Sequence, residues 1–440
     1  MTIMSFYRFA YNAAGTVLAA ATIPVWVPYM LARRKYRLSF LRRCGFINEQ
    51  TRLRLAAKPN IWIHAVSVGE FNLAATLLDQ LRPHYPHHQF VVSVTTLTGH
   101  EVAQKRLRPE DILLFFPIEF LPSMAHVVSL VSPRLAIIVE TEIWPNFIYC
   151  LSNLGVPCFM ANGRVSAKSF RRYHRVKPFM KDVLGRITRF NMQTEHDATR
   201  VISLGAPADR VTVAGNIKFD AVKLAPSCQA DEALRAEIGM PIGTPVFLAA
   251  ALDRTGDEDP HMLEVIARVR AEVPAAALMI VPRHPERGAD IARMVAAHGL
   301  VPRRRSRREK FNEPATQVFI VDTVGELTRF YTLAKTVFVG KSLFPPGGGQ
   351  NMIEPVALGL PVLYGPYTSN FRGVADTLAE HGGARIVSTV DELAQAVVTL
   401  WNEPERARTM VAKGQTFIRA QQGATQRNAE TALELLPPKA

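Results

Sequence analysis

"WIHAVSVGE" (residues 62–70) is an apolar run that stops at Ser-Val-Gly and then places a carboxylate, Glu70. The run is strand-like, the break is a turn, and the apolar spacing of residues 70–82 is helical. The same unit recurs outward from it. "IWIHAV" (61–66), "FVVSV" (90–94), "ILLFF" (112–116), "LAIIV" (135–139), "VPCFMA" (156–161) and "ITRFNM" (187–192) read as buried strands, separated by helix-like stretches such as 70–82 and 124–131. The rhythm restarts near Pro245 with "PVFLAA" (245–250), "ALMIV" (277–281), "QVFIV" (317–321), "TVFVG" (336–340) and "PVLYG" (361–365). Strand and helix in strict turn imply parallel sheets covered on both faces. The expected fold class is therefore α/β, two doubly wound Rossmann-like domains facing a cleft, with functional residues just after strands.

Between the two series, "GNIKFDAVKLAPSCQADE" (215–232) lacks a clear period and reads as a linker. A last helix-like stretch, 403–436, has no strand after it and is expected to return across both lobes. The expected boundaries are 1–37 for an anchor and basic flank, 38–225 and 226–425 for the two domains, and 426–440 for the tail of the return helix.

A chain of 440 residues with 48% hydrophobic content buries large cores, so disordered and fibrous classes are excluded. Cys44, Cys150, Cys158 and Cys228 form no C-x-x-C pair and no metal-like spacing with histidine, which fits a reducing compartment. The formal charge of +14 calls for anionic partners. Residues 6–31 are nearly all apolar and are followed by "ARRKYRLSFLRR" (32–43). The basic cluster lies behind the apolar stretch, unlike a signal peptide, so an uncleaved membrane anchor is expected. Arg33, Arg34, Lys35, Arg37, Arg42 and Arg43 would hold the domains at the cytoplasmic face of the inner membrane, against anionic headgroups.

Glu70 completes an S-x-x-E capping box with Ser67, a structural role compatible with service as a general base. "VETEIWPNF" (139–147) ends a strand with Glu140 and Glu142, and "ANGRVSAKSFRRYHR" (161–175) supplies a basic cluster suited to phosphate. "LMIVPRHPERG" (278–288) puts Arg283 after a strand, and "DTVGELTRFY" (322–331) puts Gly325 and Glu326 at a helix start. "FPPGGGQNMIEPVALGLPVLYGP" (344–366) leads three glycines into a helix opened by Asn351 and Glu354, which offers backbone N–H groups to a phosphate and a carboxylate to a ribose. No G-x-G-x-x-G or P-loop element occurs, and no nucleic-acid-binding motif.

"SVGE", "ETEIWPN", "AN-x-R-x-S", "GNIKFD", "VPRHPER", "DTVGEL" and "GGGQNMIEP…GLPVLYGP" stand in an order and spacing that resembles the Kdo transferase family, the 3-deoxy-D-manno-octulosonic acid transferases of lipopolysaccharide assembly, over about residues 62–371. The resemblance implies a GT-B glycosyltransferase that moves Kdo from CMP-Kdo to a lipid A precursor with inversion; the sequence shows no metal-binding cluster, so metal-independent catalysis is expected. It assigns Glu70 as catalytic base and Glu140 and Lys218 as transition-state-stabilising residues. Pro282, Arg283, Val324, Gly325, Glu326, Asn351, Met352, Ile353 and Glu354 would contact CMP. The chain departs from the family pattern at Arg254, at Lys341 in "VGKS" where relatives have a glycine, and at Gln350. Two other readings fit parts of the sequence: a GT-B enzyme using a different nucleotide sugar on a membrane lipid, and a non-catalytic basic protein of membrane surfaces or nucleic acid.

Overall fold

The computed structural model describes residues 3–32, 34–225, 231–254, 257–311 and 316–438. It forms two compact units, Met1–Ala221 with Gln422–Ala440, and Val222–Gln421. The chain thus crosses between them at 221/222 and 421/422, where the sequence placed the boundaries at 225/226 and 425/426.

The first unit is built on β1 (Asn60–Ala65), β2 (Gln89–Val94), β3 (Ile112–Phe115), β4 (Pro133–Val139), β5 (Cys158–Gly163), β6 (Arg189–Met192) and β7 (Val211–Val213). They form one parallel seven-stranded sheet in the order β3-β2-β1-β4-β5-β6-β7. After β3 the chain returns to the other side of β1, so the topological switch lies between β1 and β4. The inner strands are buried on both faces, which explains why they read as continuous apolar runs rather than alternating ones. Trp62 is fully buried, donates its indole N–H to Ser93 Oγ at 2.8 Å and meets Phe147 edge-on with centroids 4.9 Å apart. Truncation of such a side chain to alanine costs about 3–5 kcal/mol.

The second unit contains β8 (Val246–Leu252), β9 (Ala277–Pro282), β10 (Val301–Arg304), β11 (Thr316–Ile320), β12 (Thr336–Val339), β13 (Val362–Tyr364) and β14 (Arg385–Ile386). Its parallel sheet runs β10-β11-β9-β8-β12-β13-β14, with the switch between β8 and β12. The outer strands β7, β10 and β14 escape the sequence reading. They are short, and β7 and β10 are partly exposed edges, so their composition carries no apolar run.

Two expectations are corrected. The first part of the proposed linker belongs to the core of the first unit: Ile217 and Phe219 are buried in the short turn Ile217–Phe219, while residues 226–230, including Cys228, lie outside the described residues. The return helix is two helices, Pro404–Gln421 in the second unit and Ala424–Leu435 in the first. The break is at Gly423, whose φ of +92° suits glycine, and Asp220 accepts the N–H groups of Gly423 and Thr425. The apolar N-terminus, where an anchor was expected, is a helix, Ile3–Ala32; among the described residues no helix is long and apolar enough to cross a membrane. The Arg8 guanidinium sits over the Tyr149 ring, and Tyr11 stacks on Phe179 and donates to Glu119 at 3.3 Å. Of the basic flank, Arg33 lies outside the described residues, as do the side chains of Arg34, Lys35 and Arg37.

Candidate active site

In the first unit, the ends of β1 and β4 flank the switch, and both deliver carboxylates there. Glu70 stands in the first turn of the helix Val68–Leu81, capped by Ser67. Its Oε2 accepts the Val66 N–H at 2.6 Å and its Oε1 the Ser67 hydroxyl at 3.1 Å, so the capping role is realised. Burial still raises the Glu70 pKa above the ordinary carboxylate range, with the neighbouring Glu140 charge adding to the rise and these hydrogen bonds opposing it.

Glu140 directly follows β4, with φ +61°, in the left-handed region that costs a non-glycine residue energy. Its N–H is fixed to the Ala161 carbonyl at 2.9 Å, and its carboxylate lies 3.8 Å from the Lys218 ammonium. Glu142 accepts the Trp144 indole N–H at 2.9 Å, and burial, reinforced by the Glu70 charge, pushes its pKa up to about 7. Three acids therefore share one strand-end site with one lysine.

Lys218 owes its place to a buried amide network. Asn162, at φ +55°, accepts the Ile217 N–H at 2.9 Å. Gln193 donates to the Asn162 carbonyl at 2.9 Å and accepts from the Asn216 side chain at 3.0 Å, and Asn216 in turn accepts the Lys218 N–H at 3.0 Å. These links join the ends of β5, β6 and β7 to the turn that carries the lysine.

In the second unit, all predicted nucleotide contacts lie at the carboxyl edge of the parallel sheet, after β9, β11 and β12. Pro282 ends β9, and the exposed Arg283 is tied by its N–H to the Leu252 carbonyl at 2.8 Å. Val324 is 85% exposed and Gly325 has φ +84°. Glu326 is held by Arg305 at 2.8 Å, which keeps its carboxyl below the usual range. Gly347, Gly348 and Gly349 all have positive φ, as the loop requires. Asn351 Oδ1 accepts the Ile353 N–H at 3.1 Å, and Glu354 accepts the Thr328 hydroxyl. Met352 and Ile353 point into the core, so only their backbone can face a ligand, and the helix they open, Ile353–Ala357, is a single turn or so.

The residue reading placed Glu142 beside Glu140 at the strand end but gave it no role, and it missed Glu258. Glu258 is fully buried, accepts N–H groups of Lys341, Ser342 and Leu343, and lies in the first turn of the helix Glu258–Glu272. A carboxylate opening a helix was its only sequence signal. Among the described residues, no group of three or more His, Cys, Asp or Glu side chains is arranged to hold a metal ion. Hollows of about 400 and 480 Å³ border the β3 edge, one lined by Arg54, Arg82 and Arg108, the other by Arg42, Arg54 and His100; neither includes a predicted site residue.

The fold is that of two-domain α/β enzymes. The putative UDP-N-acetylglucosamine 2-epimerase of Listeria monocytogenes superposes with a TM-score of 0.59 over 87% of this chain and 98% of its own, a likeness of fold alone at 14% identity. The class is glycosyltransferase, and the sequence relatives establish it. Residues 38–221 match the family model of 3-deoxy-D-manno-octulosonic-acid transferase. The 3-deoxy-D-manno-octulosonic acid transferase of Haemophilus influenzae is 32% identical over 92% of both chains, and that of Bordetella pertussis is 30% identical over 84% of this chain and 86% of its own. The chain belongs to the Kdo transferase family.

Proposed function

We propose that this glycosyltransferase moves Kdo from CMP-Kdo to a hydroxyl of a lipid A precursor, by direct displacement with inversion and without a metal. The observation that carries the chemistry is the acid cluster at the β1/β4 switch. A carboxylate whose proton affinity is raised toward neutrality is a better general base than a solvated one, and Glu70 is so raised. It takes the acceptor proton as the new bond forms. Lys218, beside Glu140, offsets charge that develops in the transition state. The second unit binds CMP through Arg283, the backbone of residues 324–326 and the glycine loop leading to Asn351 and Glu354, and Arg283 stabilises the departing phosphate.

Attachment to the inner membrane is read as interfacial. On the helix Ile3–Ala32, Phe6, Phe9 and Val17 share one face, are 57%, 64% and 70% exposed, and lie opposite Arg8, which packs on the domain. Arg42 follows, exposed, in the next helix, Arg34–Arg43, and suits an anionic surface, whereas Arg43 turns inward, donating to the Thr95 carbonyl and lying over the Phe115 ring.

Mass spectrometry of products formed from CMP-Kdo and a tetra-acylated lipid A precursor tests the reading. A product heavier by Kdo is expected, in chelator as well as without it. Transfer only from another nucleotide sugar, or activity abolished by chelation and restored by a metal, would overturn the corresponding part.

A further inference from the structure

Lys341 occupies the turn after β12, on one side of the β8/β12 switch, and Asp253 follows β8 on the other. Their side chains pair across it, Nζ to Oδ2 at 3.2 Å, and are 24% and 11% exposed. Open parallel sheets bind ligands outside the strand ends at such a point. The lysine is also strained: its φ is +59°, a conformation that favours glycine, the residue the family pattern has there. A lysine kept in that conformation is a feature to be explained by what its ammonium does.

The surrounding backbone narrows the explanation. The turn after β12 has successive N–H groups pointing into one concavity, the arrangement that elsewhere cradles phosphate. Here the Glu258 carboxylate fills it, accepting from Lys341, Ser342 and Leu343 at 2.5, 2.8 and 2.8 Å. The turn's backbone donors are therefore spent within the fold, and the positive charge it presents at the switch is the Lys341 ammonium. The glycine loop lies alongside. Gly349 donates to the Lys341 carbonyl at 2.7 Å, and a β-carbon placed on Gly348 would come within 3.5 Å of Lys341 Cε.

We infer that Lys341 binds the phosphate of the nucleotide donor, leaving Asp253 for it when the donor enters. This rests on the reading of the second unit as the CMP-Kdo-binding unit. A lysine between a buried aspartate and an arriving phosphate exchanges one anion for another, and the aspartate it leaves behind is a cost that opposes donor binding. The ammonium acts as a compact point charge whose four-carbon stem lets it turn from one partner to the other.

Calorimetric titration with CMP and with cytidine, which lacks the phosphate, tests the assignment. Lys341→Met should lose about tenfold or more in CMP affinity and leave cytidine binding unchanged, while Lys341→Arg keeps most of the CMP affinity. Asp253→Asn, which releases the lysine, should hold or raise CMP affinity. Melting temperatures of the variants show that they are folded. Unchanged CMP binding by Lys341→Met, an equal loss for CMP and cytidine, a loss confined to CMP-Kdo, or a tenfold fall in Asp253→Asn would overturn the assignment. Wild-type protein that binds no CMP would overturn the donor reading and the assignment with it; wild-type binding with an unaffected Lys341→Met overturns the assignment alone.

Discussion

The carboxylate of Glu140 lies 3.8 Å from the ammonium of Lys218, and the two residues reach that distance from opposite kinds of backbone constraint. Glu140 is held at φ +61° at the end of β4, and Lys218 by the amides of Asn162, Gln193 and Asn216. The strain sits in a residue that the fold would hold more easily as glycine. Glu140→Gly should leave the melting temperature unchanged or raise stability by about 1 kcal/mol, while transfer activity falls. Glu140→Gln removes a negative charge that raises the Glu70 pKa, so the acidic limb of the remaining kcat/KM profile should move to lower pH. A limb that stays in place would detach Glu140 from the base.

Glu70→Gln separates capping from catalysis. Glutamine still accepts from the Val66 N–H, so the melting temperature should change little. It cannot take a proton from the acceptor, so single-turnover transfer should slow on the order of 10²–10⁴-fold. CMP affinity should not change. Near wild-type transfer by the folded variant would falsify the role of base.

Glu119 gives a pH signature of its own. Burial pushes its pKa up to about 7 from an ordinary 4.5, against the opposing hydrogen bonds from the Asn146 N–H and the Tyr11 hydroxyl. The folded state therefore holds the proton more tightly than the unfolded chain. That stabilisation is full below pH 4.5 and is lost as pH rises through about 7. Glu119→Gln, which is neutral throughout, should match wild type near pH 4.5 and exceed it above pH 7, by on the order of 3 kcal/mol. Parallel stability curves from pH 4 to 8 would contradict this.

Replacing Phe6, Phe9 and Val17 together by serine should abolish most binding to vesicles containing anionic lipid without unfolding the domain, because these side chains are exposed. Sedimentation with vesicles and a melting curve check both halves. Binding equal to wild type would place attachment elsewhere.

The inner strands were legible because buried parallel strands are apolar along their whole length: β1, β4 and β8 announce themselves. The edge β10, "VPRR", could not, since an edge strand is held by one neighbour and needs no apolar composition. Around Lys218, Ile217 and Phe219 are both buried, but an apolar-polar-apolar triplet is too short to carry a period, so residue patterning read it as linker and only the family resemblance singled it out. The Asp253–Lys341 pair joins residues far apart in the chain through the adjacency of β8 and β12, and that adjacency follows from topology rather than local pattern.

The last helix bears on how the protein is made. The second unit is a continuous stretch of chain, but the first lacks its closing segment until the helix Ala424–Leu435 is synthesised. That helix brings Asn428, fully buried, to the Asn162 N–H and to Asn191, and the Leu436 carbonyl to the Tyr85 hydroxyl at 2.7 Å. On the ribosome, the contacts that Asn162, Asn191 and Tyr85 make with this helix can form only after the whole second unit has been translated and residues 424–436 have emerged.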